Sequence, residues 1–169
     1  VVAELYDKRK LINSTKKYIV GSDEKYFHDK NGKGFKYGHT IKPVPEGVKI
    51  FPTGKPLPYE VMQANIGNCY LMALLISLAK TSPKAITDCF TQGLDKIENE
   101  NNIEIRFFYK AKIANNLKKG SLKIIVNKNT VIDRSGIKDG ALWPKLIEKA
   151  YAVYRSEGYD FHDTENIKL

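Results

Sequence analysis

A nearly unbroken apolar run over residues 70–79 constrains the fold of this chain more than any other stretch. Leucine, methionine and alanine make up most of the run, and these residues favour the helical conformation. A helix that is apolar on almost every face has to be buried. We therefore expect the run to form the central helix of a hydrophobic core, ending near Thr81.

A single cysteine, Cys69, stands directly before this run. Asn68 precedes it and is suited to cap a helix, which places Cys69 at or near the first helical position. There the helix dipole favours a thiolate, and a nucleophilic cysteine needs both thiolate character and a fixed aim. On position alone, a cysteine beside an apolar helix is more often a packing residue.

A second helix is predicted to follow the first without a long connection. Ser82 and Pro83 resemble an N-cap and a first helical residue. The helix would continue to about Thr91, with Cys89 as a core residue in its middle and Gly93 as its stop.

The C-terminal half of the chain has the patterns of strands and one more helix. Residues 103–109 and 122–126 predict strands, with a loop or hairpin tip over 115–120 and a short third strand at 130–132. Residues 141–154 have the apolar spacing of an amphipathic helix that faces a core. Helices followed by a small antiparallel sheet give an α+β fold.

Composition excludes several classes of function. The chain has 169 residues, enough for one domain or for a piece of a larger protein. Its net charge of +9 is spread along the chain, so we expect no specific nucleic-acid site, and no apolar run is long enough to span a bilayer. Two cysteines make no disulfide framework and favour a reducing intracellular compartment, and the three histidines lack zinc-ligand spacing.

The N-terminal third differs from the rest of the chain. Residues 21–60 contain five of the seven prolines, which excludes a long helix there. We interpret residues 1–56 as an extension or wrapping arm and residues 57–169 as the main globular unit.

Two motifs resemble the calpain-type cysteine proteases of the papain-like superfamily. The first is Q-x-x-x-G-(D/N)-C-(W/Y)-L-x-A, which in this chain comprises Gln63, Gly67, Asn68, Cys69, Tyr70, Leu71 and Ala73. The family usually has Asp and Trp where this chain has Asn68 and Tyr70. The second is L-W-P-x-L-(L/I)-E-K-A-Y-A, which residues 142–152 match closely. The resemblance covers roughly residues 57–162.

The resemblance implies a cysteine endopeptidase acting on a protein or peptide substrate. Cys69 would be the nucleophile, and the Gln63 side chain with the Cys69 backbone N–H would form the oxyanion hole. The family takes its histidine and asparagine from a second subdomain that follows this one, and His162 lies too soon after the second motif to be that histidine. The chain is therefore expected to be the first, cysteine-bearing half of the catalytic core, with the histidine and asparagine subdomain as its partner, either in the same protein or as a cleaved partner chain.

The resemblance also implies a calcium site, although the chemistry requires no cofactor. Calcium-dependent members of the family hold the ion through a carboxylate nine residues before the nucleophile and another just after the second motif. These positions are Glu60 and Asp160, and carboxylates suit calcium. Relatives of the bacterial type need not bind the ion.

Three other functions stay open at this stage. The chain could be a catalytically inactive, calpain-like interaction or regulatory module, although it keeps both Gln63 and Cys69. It could be another papain-type hydrolase or acyltransferase, which the second motif disfavours. A nucleic-acid binder would rest on net charge alone.

Overall fold

The computed structural model describes residues 17–19, 42–63, 69–113, 116–132, 137 and 140–156. These residues form a mixed α+β fold. Its strands are β1 (Lys17–Ile19), β2 (Lys42–Pro43), β3 (Asn102–Ile113), β4 (Asn116–Asn127) and β5 (Thr130–Val131), and its helices are α1 (Cys69–Thr81), α2 (Pro83–Thr87) and α3 (Trp143–Ser156). Two 3-10 turns, Pro58–Glu60 and Ile97–Asn99, precede α1 and β3.

Helix α1 begins at Cys69 and ends at Thr81, as the sequence predicts. The prediction of burial on almost every face is wrong. Its buried side chains are Leu71, Met72, Leu75 and Ala79. By contrast, Leu74 is 43% exposed and Ile76 is 41% exposed. The helix therefore packs on the core through one face only.

Helix α2 begins at Pro83, as predicted, but ends at Thr87 instead of near Thr91. The prediction that Cys89 lies in the middle of a helix is wrong. The carbonyl of Cys89 accepts the backbone N–H of Arg106 at 2.7 Å, and the neighbouring Phe90 forms a bridge with Ile105 of β3. The helix stops because this segment pairs with the edge of the sheet.

Strands β3 and β4 form a long antiparallel hairpin that starts at the pair Asn102↔Asn127 and continues to Ile113↔Asn116. The predicted loop over 115–120 is wrong for residues 116–120, which belong to β4. Near the open end, Ile103 and Ile105 alternate into the core, opposite Val126 and Ile124 respectively. This alternation fixes which face of the hairpin packs on the helices.

Two further pairings join the N-terminal segments to the sheets. Strand β1 runs parallel to β4, with Lys17 opposite Lys123. Strand β2 is antiparallel to β5, with Pro43 opposite Thr130. Farther along the chain, Ile50 and Phe51 are buried in the core.

Helix α3 is buried on all sides from Trp143 through Ala152. Its apolar spacing is as predicted, but its charged residues Lys145, Glu148 and Lys149 are buried too. Lys145 and Glu148 form an ion pair at 3.1 Å inside the protein. No helix in the described part of the chain is long and apolar enough to cross a membrane.

Candidate functional site

Cys69 is the first residue of α1, and it is exposed. The local sequence explains this position, because the apolar run that begins with the next residue supplies the buried face of the helix. The first turn of a helix presents backbone N–H groups that have no partner within the helix. Cys69 is therefore exposed and lies at the positive end of the helix dipole. The predicted cap, Asn68, lies outside the described residues.

Gln63 is exposed and follows the 3-10 turn Pro58–Glu60. This turn packs against α1, so the segment that leads to Gln63 lies beside the helix that begins with Cys69. Residues 64–68, between the two predicted catalytic residues, lie outside the described part of the chain.

The same turn is anchored by a buried carboxylate, Glu60, which is 1% exposed. Its Oε1 accepts the backbone N–H of Leu57 at 2.7 Å. It also accepts the indole Nε1–H of Trp143 at 3.2 Å. Trp143 is the first residue of α3 and the only tryptophan in the chain. A buried carboxylate is costly unless hydrogen bonds satisfy it, and these two donors supply them.

An aromatic contact connects the first motif directly to the second. The ring of Tyr70, next to Cys69, meets the edge of Tyr151 from α3 with centroids 6.0 Å apart. Tyr151 in turn meets Phe107 of β3 with centroids 6.5 Å apart. Edge-to-face pairs of this kind add to the stabilisation from burial. The start of α1 is thereby fixed against α3 and the sheet.

The second thiol, Cys89, has a different environment. It is partly buried, and its Sγ donates to the carbonyl of Ala85 at 3.3 Å. Burial is the main cause that raises the pKa of Cys89 to about 11, the Asp88 carboxylate adds to the rise, and the Arg106 guanidinium opposes it. Cys89 is thus a poor nucleophile near neutral pH.

Cys89 also lines an apolar cavity of about 180 Å³ beneath the half-exposed side of α1. Leu74, Leu78 and Phe107 contribute to its walls. Neither Cys69 nor Gln63 is among the residues that line it. The cavity is therefore separate from the candidate catalytic residues.

The residues proposed for calcium are only partly described, because Asp160 lies outside the described residues. Glu60 directs Oε1 at two N–H donors, which carry partial charge of the same sign as a cation. No group of three or more His, Cys, Asp or Glu side chains within the described residues is arranged to hold a metal ion. Calcium binding at Glu60 stays a prediction.

The sequence predicts roles for Cys69, Gln63 and Glu60 and contains the second motif, but it does not predict the contact between Glu60 and Trp143. Nothing in the sequence indicates that the Trp143 indole meets Glu60, because the two residues are 83 positions apart. The tryptophan itself was recognisable as a buried residue of a periodic helix.

Comparison with known proteins adds no assignment. No family model matches the chain, and no similar curated protein and no similar solved structure was found.

Proposed function

We propose that this chain is the cysteine-bearing subdomain of a calpain-like cysteine endopeptidase with a papain-like arrangement. Cys69 is the nucleophile, and Gln63 helps to hold the oxyanion. A histidine and asparagine subdomain supplies the general base and the residue that orients it. The substrate is a protein or peptide.

One observation carries the proposal. The exposed Cys69 occupies the first position of α1, while a contact between the two motifs fixes that end of the helix. That contact is the Tyr70–Tyr151 ring pair. A residue that served only for packing would be expected to point inward, as Leu71 and Met72 do.

The chemistry follows from these positions. The imidazole accepts the proton of the Cys69 thiol, and the sulfur attacks the scissile carbonyl carbon to form a C–S bond while the carbonyl π electrons move to oxygen. The Gln63 amide and the Cys69 backbone N–H donate to this oxyanion. The C–N bond then breaks as the imidazolium protonates the leaving amine. Water, deprotonated by the imidazole, cleaves the thioester and restores the thiol.

The first test uses alkylation of the thiols by iodoacetamide near pH 7. Cys89 is an internal reference, because its raised pKa of about 11 leaves very little thiolate at this pH. We expect Cys69 to be labelled at least about 10-fold faster than Cys89, and faster still in a protein that includes the histidine subdomain. Equal, slow labelling of both thiols would contradict the proposal and favour an inactive module.

The second test is Cys69→Ala in the protein that includes the histidine subdomain. We expect peptide hydrolysis to fall to background while the melting temperature changes little, because Cys69 is exposed. Cys89→Ala is the matched control and is expected to keep hydrolysis. Hydrolysis that survives Cys69→Ala would exclude Cys69 as the nucleophile.

A further inference from the structure

Glu60 connects the turn that precedes Gln63 to the start of α3. The proposed mechanism requires these two segments to keep fixed positions relative to each other. Its Oε1 accepts from Leu57 on its own turn and from the Trp143 indole at the start of α3. The turn also has its own backbone bonds, from Glu60 N–H to the Leu57 carbonyl and from Val61 N–H to the Pro58 carbonyl. The position of the turn relative to α3 is thus set by a side chain that is 1% exposed.

The Trp143 end of this hydrogen bond is held from several directions. Trp143 is completely buried. Its backbone N–H donates to the carbonyl of Ile50 at 3.2 Å, and its ring stacks on Phe51 with centroids 6.4 Å apart. An indole held in this way offers its N–H at a fixed point, so the carboxylate that accepts it is fixed as well.

Gln63 follows Glu60 by three residues. Val61 is buried and continues the anchored segment, whereas Met62 and Gln63 are exposed. The chain therefore leaves the core between Val61 and Gln63. A displacement of the Glu60 anchor would move Gln63 with it, and a donor to an oxyanion loses most of its effect when it is displaced by about 1 Å.

We propose that Glu60 is a positioning residue that, together with Trp143, sets where Gln63 meets the oxyanion. This inference rests on the proposed protease function. It assigns the buried carboxylate a role through its hydrogen bond with the indole, and that role requires no metal ion.

The test compares Glu60→Gln, Trp143→Phe and the double variant. Glu60→Gln keeps an acceptor oxygen but removes the charge, and Trp143→Phe removes the donor while keeping a large ring. Tyr59→Phe is the matched control, because Tyr59 lies on the same turn and is 56% exposed. The readouts are peptide hydrolysis by the protein that includes the histidine subdomain, the alkylation rate of Cys69, and the amide NMR resonances of Gln63.

We expect Trp143→Phe to lower kcat about 10- to 100-fold with less than a 2-fold change in KM, and to shift the Gln63 resonances. Glu60→Gln is expected to have a smaller effect, and the double variant to lose less than the sum of both single losses. Tyr59→Phe should keep the parent kcat. The alkylation rate of Cys69 should change less than 2-fold throughout, because the nucleophile itself is not displaced.

Three results would overturn the inference. One is an unchanged kcat in both single variants, with hydrolysis still dependent on Cys69. Another is unshifted Gln63 resonances in Trp143→Phe, which can be read in this chain without any activity. The third is a loss of kcat that only matches the fraction of unfolded protein. If hydrolysis persists in Cys69→Ala, the protease function itself fails, and this result is distinct from the other three.

Discussion

The Nζ of Lys149 lies 2.8 Å from both the backbone carbonyl and the Oγ1 of Thr130. It also donates to the carbonyl of Asn127 at 2.9 Å. Lys149 is completely buried in α3, and its three acceptors lie at the end of β4 and the start of β5. One ammonium group therefore connects the last helix to the turn between two strands.

Replacing this ammonium group should destabilise the fold. In Lys149→Met the aliphatic bulk remains, but the buried acceptors lose a charged donor, so we expect the free energy of unfolding to fall by about 2–4 kcal/mol. Lys84→Met is the control, because Lys84 is 84% exposed and its ion pair with Asp88 should contribute less than about 1 kcal/mol. Urea denaturation of both variants measures the difference. Equal losses would show that the buried hydrogen bonds add nothing.

The two faces of α1 should respond differently to truncation. Leu75 is 3% exposed and Leu74 is 43% exposed, although they are adjacent in an apolar run. We expect Leu75→Ala to cost about 2–5 kcal/mol and Leu74→Ala less than about 1 kcal/mol. Thermal and urea unfolding of both variants check this. A large loss in Leu74→Ala would mean that this face of α1 is covered.

Local patterns in the sequence were sufficient for the start of α1, the cores of β3 and β4, and the apolar spacing of α3. They failed where a distant partner decides the outcome. Cys89 looked helical because its neighbours are apolar at helical spacing, but its carbonyl pairs with Arg106 across the sheet edge. The burial of Lys149 was equally hidden, because its acceptors lie 19 and 22 residues away.

The candidate site likewise has one part that the local sequence predicts and one part that it does not. The position of Cys69 at the start of a helix follows from the sequence around it, and the structure confirms that position. The anchoring of Glu60 by Trp143 depends on how α3 docks, which no local pattern contains. The catalytic roles of Cys69 and Gln63 stay predictions.

Glu98 should hold the segment around Ile50 on the core. Its Oε2 accepts the backbone N–H of Ile50 and its Oε1 that of Phe51, each at 2.9 Å. We expect Glu98→Ala to lower the free energy of unfolding by about 2–3 kcal/mol, because two N–H groups lose a charged acceptor. Glu100→Ala is the control, since Glu100 is exposed and directly follows the same turn.

Hydrogen exchange gives a local readout of the Glu98 prediction. The amides of Ile50 and Phe51 should exchange faster in Glu98→Ala than in Glu100→Ala, and their protection should fall by more than that of the amides in the middle of α3, which falls only with the global free energy of unfolding. Unchanged protection of Ile50 and Phe51 would show that other contacts hold this segment.

Cys89 should make the fold less stable in alkali. Burial, with help from Asp88, raises its pKa to about 11, so between about pH 9 and 11 the unfolded chain loses the thiol proton while the folded chain keeps it. The stability that this proton provides is complete below pH 9 and disappears as the pH rises through 11, to a limit of about 3 kcal/mol. Lysines and tyrosines titrate over the same range, so the quantity to measure is the difference in unfolding free energy between the parent chain and Cys89→Ala. We expect this difference to shift steadily in favour of Cys89→Ala from pH 8.5 to 11. A difference independent of pH would mean that the Cys89 thiol ionises equally in both states.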